Sequence, residues 1–338
     1  MRALVWKNNG RVELEQDWPR PSCSAGQLIV QVKAEGICMT DIHMITGELD
    51  FAKPPWVLGH EMSGVIHQVG EDVEGWRVGD RVIVDPVVTC GVCSYCLTGR
   101  KYLCLSGGEL GTTYGGGGYG EFVAVKPSNL YRLPDELSFI EGAMMEPLNC
   151  TLGAVDRVAN IVGSDVIVFG PGPAGLLFVQ LAKAYGALSV TLIGMDDERL
   201  ALGRQLGADQ TVNLQKTSLG EAVKEKTFQV AIEASGSVQG VADCFAQVEK
   251  SGTVVLYGLH GTGKPTVDTD TIIGKDLTVV TCISAPLLWE KGIKMVQAGK
   301  INLSQLVTNT IPFEQAASIV NSIAYEPMSR PVKAMIQY

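Results

Sequence analysis

A short apolar strand, DVIVF, runs directly into Gly170-Pro-Gly172-Pro173-Ala174-Gly175 and then into the helical pattern LLFVQLAKAYGA. The spacing G-x-G-x-x-G between strand and helix is a demanding context. The glycines allow a tight turn and close approach of the backbone to a ligand, and the helix N-terminus faces a pyrophosphate. Behind this turn the chain alternates: SVTLIG, ERLALGRQLGA, FQVAIEAS, VQGVADCFAQVEKSG, TVVLYGL. Strands separated by helices of this length predict βαβ units and a parallel sheet. Their apolar character on both faces predicts helices covering both sides. Residues 153–288 are therefore expected to form a doubly wound α/β domain that binds a dinucleotide. Ser235-Gly236 and Gly258-Leu259, which follow later strands, would line the cofactor cleft.

The first ~150 residues have another rhythm. LIVQVKAEG, GVIHQVG, DRVIVDP and EFVAVK are short, rich in β-branched residues and broken by turns, which predicts a mostly β, barrel-like antiparallel domain over residues 1–152. MRALVWKNNGRVELEQ reads as a strand turning back on itself. A helix, WEKGIKMVQAGK, and a terminal strand, PVKAMIQY, make residues 289–338 a stretch that either extends the nucleotide domain or returns to the first one, and the return is the expectation. A chain of 338 residues accommodates two such domains. The net charge of -9 opposes nucleic acid or an anionic membrane as partner. No apolar run approaches the roughly 18–20 residues that span a bilayer, and the N-terminus lacks a signal-peptide core. A cytoplasmic enzyme acting on a small molecule is expected.

Among nine cysteines, four fall in one loop: Cys90, Cys93, Cys96 and Cys104, with spacing C-x2-C-x2-C-x7-C. Thiolates two residues apart turn onto one small ion and the last gap closes a tetrahedron, so the loop predicts a structural zinc. An iron–sulfur cluster of the C-x2-C-x2-C-x3-C-P kind is disfavoured, because no Pro follows Cys104. Cys23, Cys150, Cys244 and Cys282 are scattered and read as small buried side chains. The run from Gly115 to Gly120 does not open a helix and reads as a flexible turn before the strand EFVAV.

Three further segments hold separate candidate ligands: Gly36-Ile-Cys38-Met-Thr40-Asp41-Ile-His43, Gly59-His60-Glu61-x-x-Gly64 and Glu146-Pro147-Leu148. Taken in order with the cysteine loop and the nucleotide fold, they resemble the zinc-dependent medium-chain alcohol dehydrogenases, and Glu-Pro-Leu resembles the sorbitol (polyol) dehydrogenase branch. The resemblance covers the whole chain. It implies a GroES-like catalytic domain beside the Rossmann domain, one catalytic and one structural zinc, NAD or NADP, and a homo-oligomer. Cys38 and His60 would be catalytic zinc ligands, with Glu146 a third, directly or through water. Glu61 would lie beside the metal and could replace water transiently. Asp41 would fix the His60 tautomer, Thr40 would take the substrate's proton, and His43 would pass it to solvent. His67 and His260 read as structural.

The chain also departs from that family. Met39 replaces a Gly or Arg, Ile66 stands where many relatives have Gly, and Ser284-Ala285 stands near an Arg-Tyr pair of sorbitol dehydrogenases, which weakens sorbitol itself as substrate. At the end of the second strand Gly194 occupies the place of the acid that grips a ribose hydroxyl. Arg199 could meet a 2′-phosphate, while Asp196, Asp197 and Glu198 oppose one, so NAD and NADP both stay open. The expected reaction is hydride transfer between a polar secondary alcohol and NAD(P). A simple secondary-alcohol or amino/hydroxy-acid dehydrogenase and a quinone reductase are the enzymatic alternatives. A non-catalytic cofactor-binding relative is the alternative of another class.

Overall fold

A computed structural model describes residues 1–224, 226–284, 286–326 and 330–338. The chain divides into two compact units. The first comprises Met1–Asn149, Ser284–Glu290 and Leu303–Tyr338, and the second Cys150–Ile283 and Lys291–Asn302. Residues 291–302, read from sequence as part of the terminal return, group with the second unit.

In the first unit the N-terminal strand Ala3–Trp6 pairs antiparallel with Val12–Glu15 and with Trp56–Val57. The larger sheet orders Leu130–Arg132, Arg81–Val84, Met62–Val69, Leu28–Gly36, Lys333–Gln337 and Val307–Pro312, with Phe122–Val125 also on Leu28–Gly36. Long Leu28–Gly36 is the hub. Its residues Leu28, Val30 and Val32 point into a core shared with Met62, Ile66, Val82 and Val84, as period-2 alternation requires. The last strand, Lys333–Gln337, pairs antiparallel with it, Met335 opposite Gly36. Strands far apart in sequence thus lie side by side in one sheet.

The second unit is an all-parallel six-stranded sheet. Its order is Gln210–Asn213, Ser189–Gly194, Asp165–Phe169, Phe228–Glu233, Val248–Leu256, Thr278–Thr281. Val166, Ile167 and Val168 on the central strand are fully buried. The strand order reverses between Asp165–Phe169 and Phe228–Glu233, the crevice where open α/β sheets bind ligands. One segment departs from the sequence expectation. The helix Val238–Gln247 stops before VEKSG, and those residues belong to the strand Val248–Leu256. The helix ends because Val248 is already extended, at φ -69° and ψ 136°, and Ser251 at φ +61° lies further along, within the strand. The edge strand Thr278–Thr281, not anticipated from sequence, is mostly exposed.

Candidate functional site

The helix Met39–Ile45 begins at Cys38. Asp41, three residues on, reaches back so that its Oδ2 accepts the Cys38 backbone N–H at 3.2 Å. Its Oδ1 accepts the Gly59 N–H at 3.3 Å and lies 3.5 Å from His60 Nδ1, long for a hydrogen bond. One fully buried carboxylate therefore caps the helix and faces the imidazole. Gly59 has φ +92°, and a Cβ there would meet the Tyr119 ring at 2.6 Å. That turn delivers His60 and Glu61 into the interior, where both are buried.

The ligand atoms of Cys38, His60 and Glu61 lie within 4.8 Å of one another. One sulfur, one nitrogen and one carboxylate oxygen suit a zinc with a position left for water or substrate. Burial works against the His60 imidazolium, but the Asp41 and Cys38 charges outweigh it and raise its pKa well above the ordinary value. An interior that gathers cationic character in this way is suited to a metal ion, which would displace the proton.

Glu146 is placed differently. It is buried on the helix Phe139–Val155 and its charge acts on Lys333, but its carboxylate is outside the group whose ligand atoms converge. Thr40 is partly buried on the first turn of the Cys38 helix. His43, three residues on and so on the same face, bonds Glu48 Oε2 through Nδ1 at 2.8 Å.

Two residues of this site escape sequence reasoning. Lys333 is buried and forms an ion pair with Glu61 Oε2, donating also to the Ile37 carbonyl at 3.0 Å. Burial alone would lower its pKa, but the Glu61 charge prevails and raises it, so Lys333 stays charged. A lysine inside the apolar strand KAMIQ was the available signal. Glu35 is the second: its Oε1 accepts the Glu61 N–H at 3.0 Å. Burial, reinforced by Asp41, pushes its pKa well above the carboxylate range. Gly118 packs onto it, since a Cβ there would lie 1.7 Å from Glu35 Oε2. The glycine run read as a flexible turn is therefore wedged at Gly117 and Gly118 and open only at Gly116.

Cys90, Cys93, Cys96 and Cys104 also bring their sulfurs within 4.8 Å of one another. Their thiols do not titrate alike. Backbone N–H groups of Val92 and Cys93 pull Cys90 down to about 6. Burial and the bond with Cys93 push Cys96 up to about 12. Without a cation the four cannot all be thiolates, so the set fits a dication that ionises every sulfur. Lys101, inside the loop, pairs with fully buried Asp85 and ties the loop to the strand Arg81–Val84. Of the scattered cysteines, Cys150, Cys244 and Cys282 are buried and Cys23 is partly exposed.

In the second unit the glycines divide their work. Gly170 takes φ +102°, and a Cβ there would meet Ser235 Cα at 2.7 Å. A Cβ on Gly175 would lie 1.8 Å from the Gly170 carbonyl. Above Gly172, by contrast, a Cβ would meet nothing within 4 Å. The turn is tight below and open above, with the helix Pro173–Ala184 starting at Pro173 and Ala174. That is the cradle a pyrophosphate needs. Gly194 packs on Pro171, whose ring a Cβ would approach to 2.5 Å. Asp196 accepts the Arg199 N–H at 2.9 Å as N-cap of the helix Asp197–Gln205. Ser284 donates to Glu109 Oε1 at 2.6 Å; Ala285 lies outside the described residues. His67 is exposed and packs edge-on against Phe122.

Comparison with known proteins agrees with this geometry. Residues 24–135 match the alcohol dehydrogenase GroES-like domain, and residues 173–298 match the zinc-binding dehydrogenase domain. The chain is 34% identical over 317 residues to a sorbitol dehydrogenase of Halalkalibacterium halodurans, covering 91% of this chain and 92% of that one. Among solved structures, an alcohol dehydrogenase of Escherichia coli complexed with NADH superposes with a TM-score of 0.92 at 29% identity, covering 100% of this chain and 99% of the other. A zinc-binding dehydrogenase of Sinorhizobium meliloti bound to NADP gives the same values.

Proposed function

This chain belongs to the zinc-binding alcohol dehydrogenase family, and from that premise we propose that it oxidises a polar secondary alcohol, of the polyol or sugar-alcohol class, to a ketone with NAD(P). The observation that carries the reading is the convergence of Cys38, His60 and Glu61 on one point. A non-catalytic relative has no use for such an open ligand set. The likeness to a sorbitol dehydrogenase supports the substrate class, and the NADH- and NADP-bound neighbours support the cofactor.

Cys38, His60 and Glu61 would hold the catalytic zinc, with Glu146 close by, and Cys90, Cys93, Cys96 and Cys104 the structural one. Zinc supplies Lewis acidity that favours deprotonation of a hydroxyl, and the nicotinamide supplies the hydride acceptor. The chain's residues do the rest. Asp41 orients His60. Lys333 neutralises Glu61 and holds it in place by an ion pair. Thr40 accepts the hydroxyl proton and passes it to His43, whose bond to Glu48 faces water. In the second unit Gly170, Gly172 and Gly175, with Pro173 and Ala174 at the helix start, take the pyrophosphate. Gly194, Arg199, Ser235 and Gly258 border the nucleotide.

We place the enzyme in the cytoplasm as a homo-oligomer. All nine cysteines are free of disulfides, which suits a reducing compartment, and the family analogy supports assembly. No helix among the described residues is long and apolar enough to cross a membrane.

The test is an initial-rate screen of polyols, sugar acids and simple alcohols with NAD and NADP, alongside metal analysis. We expect turnover on a polar secondary alcohol and about two zincs per chain. No turnover on any alcohol, with a single zinc, would return the protein to the non-catalytic class.

A further inference from the structure

Glu233 ends the strand Phe228–Glu233 and is fully buried, yet the reaction described above gives it nothing to do. A carboxylate in an apolar interior is costly unless hydrogen bonds hold it. Here Oε1 accepts three: from Ser235 N at 2.8 Å, Gly236 N at 3.0 Å and Ser235 Oγ at 2.5 Å. The Glu233 backbone carbonyl accepts the N–H groups of Tyr257 and Gly258 at 3.0 and 3.1 Å. One residue thus grips the loops that follow two neighbouring parallel strands.

The second carboxylate oxygen looks the other way. Oε2 lies 3.7 Å from His260 Nε2, and neither atom has a hydrogen-bond partner. The packing leaves no slack around the carboxylate. A Cβ on Gly258 would lie 2.5 Å from Oε2 and 2.5 Å from Gly236 N. Gly170, which opens the dinucleotide turn, abuts Ser235. Two loops at the crevice therefore lean on the Glu233 side chain, and the Gly170 turn rests on the first of them through Ser235.

We infer that Glu233 is a positioning residue for the dinucleotide. Its Oε1 sets the Ser235–Gly236 turn, and its Oε2 with His260 sets the turn that follows Leu256. The two loops then meet the nucleotide already in register, and its binding does not have to order them. The inference rests on the reading of Gly170–Gly175 as the dinucleotide site.

Calorimetric titration of NADH and NADPH into the zinc-loaded protein tests it, with cofactor-free melting and initial rates measured in parallel. In Glu233→Ala the Kd of the preferred cofactor should rise about tenfold to a hundredfold, the effect of losing charge-assisted hydrogen bonds. At saturating cofactor kcat should stay within about threefold, since no reacting atom is touched. Glu233→Gln keeps an acceptor for the two backbone N–H groups but loses the charge, so its Kd should lie severalfold above the wild type and below that of Glu233→Ala, and wild-type affinity in it decides against the inference if the alanine variant does not fold. His260→Ala should weaken binding by a smaller factor. Wild-type affinity in both Glu233→Gln and Glu233→Ala, or a loss of kcat with Kd unchanged, overturns the inference alone. A wild-type protein that bound neither dinucleotide would overturn the reading of the site and the inference with it.

Discussion

The two sulfur-bearing sites of the first unit are built on opposite principles. The cysteine loop draws all four ligands from fifteen consecutive positions, Cys90 to Cys104, each partly exposed. It has little apolar packing of its own: Val92, Leu97 and Leu105 are all more than 70% exposed. The Cys38 site draws its ligands from separate segments, sinks His60 and Glu61 into the interior, and surrounds them with further buried ionisable groups, Glu35, Asp41 and Lys333. The first site is local and offers four sulfurs, so a metal there would only hold the loop. The second is non-local and offers three ligand atoms, so a metal there would keep a position for exchange, and the surrounding fold must carry the cost of burying charge. The difference teaches that the more conspicuous metal motif is the less reactive one.

That contrast can be broken by experiment. The largest effect should come from Cys38→Ser or His60→Ala, which should lower kcat by about a thousandfold, as expected when several kcal/mol of Lewis-acid stabilisation is lost. The melting midpoint should move little, and metal analysis should show one zinc fewer. Near-normal turnover in either variant would sink the mechanism. Cys93→Ala should do the reverse: the melting midpoint falls and one zinc is lost, while the protein that remains folded keeps its kcat. A parallel loss of kcat in that folded fraction would mean that the two sites are not separate in function.

A second group of measurements sharpens the comparison inside the open site. In the zinc-free protein Lys333→Met leaves Glu61 without its ion-pair partner and should destabilise the fold by about 3–5 kcal/mol, measurable by urea unfolding. Glu146→Gln should keep both zincs, because the Glu146 carboxylate stands outside the converging ligand atoms; loss of one zinc would make it a direct ligand. The smallest effect is a proton count. In the zinc-free protein the raised His60 pKa means that its imidazole holds a proton above the ordinary value near 6.5. Zinc binding must release that proton, so affinity should rise with pH until the pH passes the raised value and then level off. Titrations in buffers of different ionisation enthalpy should show about one proton released from this group near neutral pH. No release, or affinity that falls with pH over this range, would contradict the assignment.

Much of the fold is legible in the sequence because its signals are local. The strands DVIVF and SVTLIG and the turn Gly170–Gly175 announce themselves by apolar runs and glycine spacing. VEKSG misleads because it continues an apparent helical period, although the backbone is already extended at Val248. Cys90, Cys93, Cys96 and Cys104 are legible for the same reason of locality. Cys38, His60 and Glu61 are not legible as a group from spacing, since their meeting depends on the pairing of Leu28–Gly36 with Met62–Val69. Lys333 is hidden further still, because its partner Glu61 lies nearly the length of the chain away. Glu35 and Glu233 are hidden because an acid in a strand reads as an exposed residue until its burial is known.

The pairing of Lys333–Gln337 with Leu28–Gly36 has a consequence for synthesis. On the ribosome, Glu61 emerges well before its ammonium partner Lys333, with the whole parallel-sheet unit made between them. Until then the sheet around His60 lacks an inner strand and a buried acid lacks its counter-charge. The nascent chain can thus build its nucleotide fold while its chemistry stays unfinished. The ion pair at the open site therefore forms only after the nucleotide fold has been synthesised.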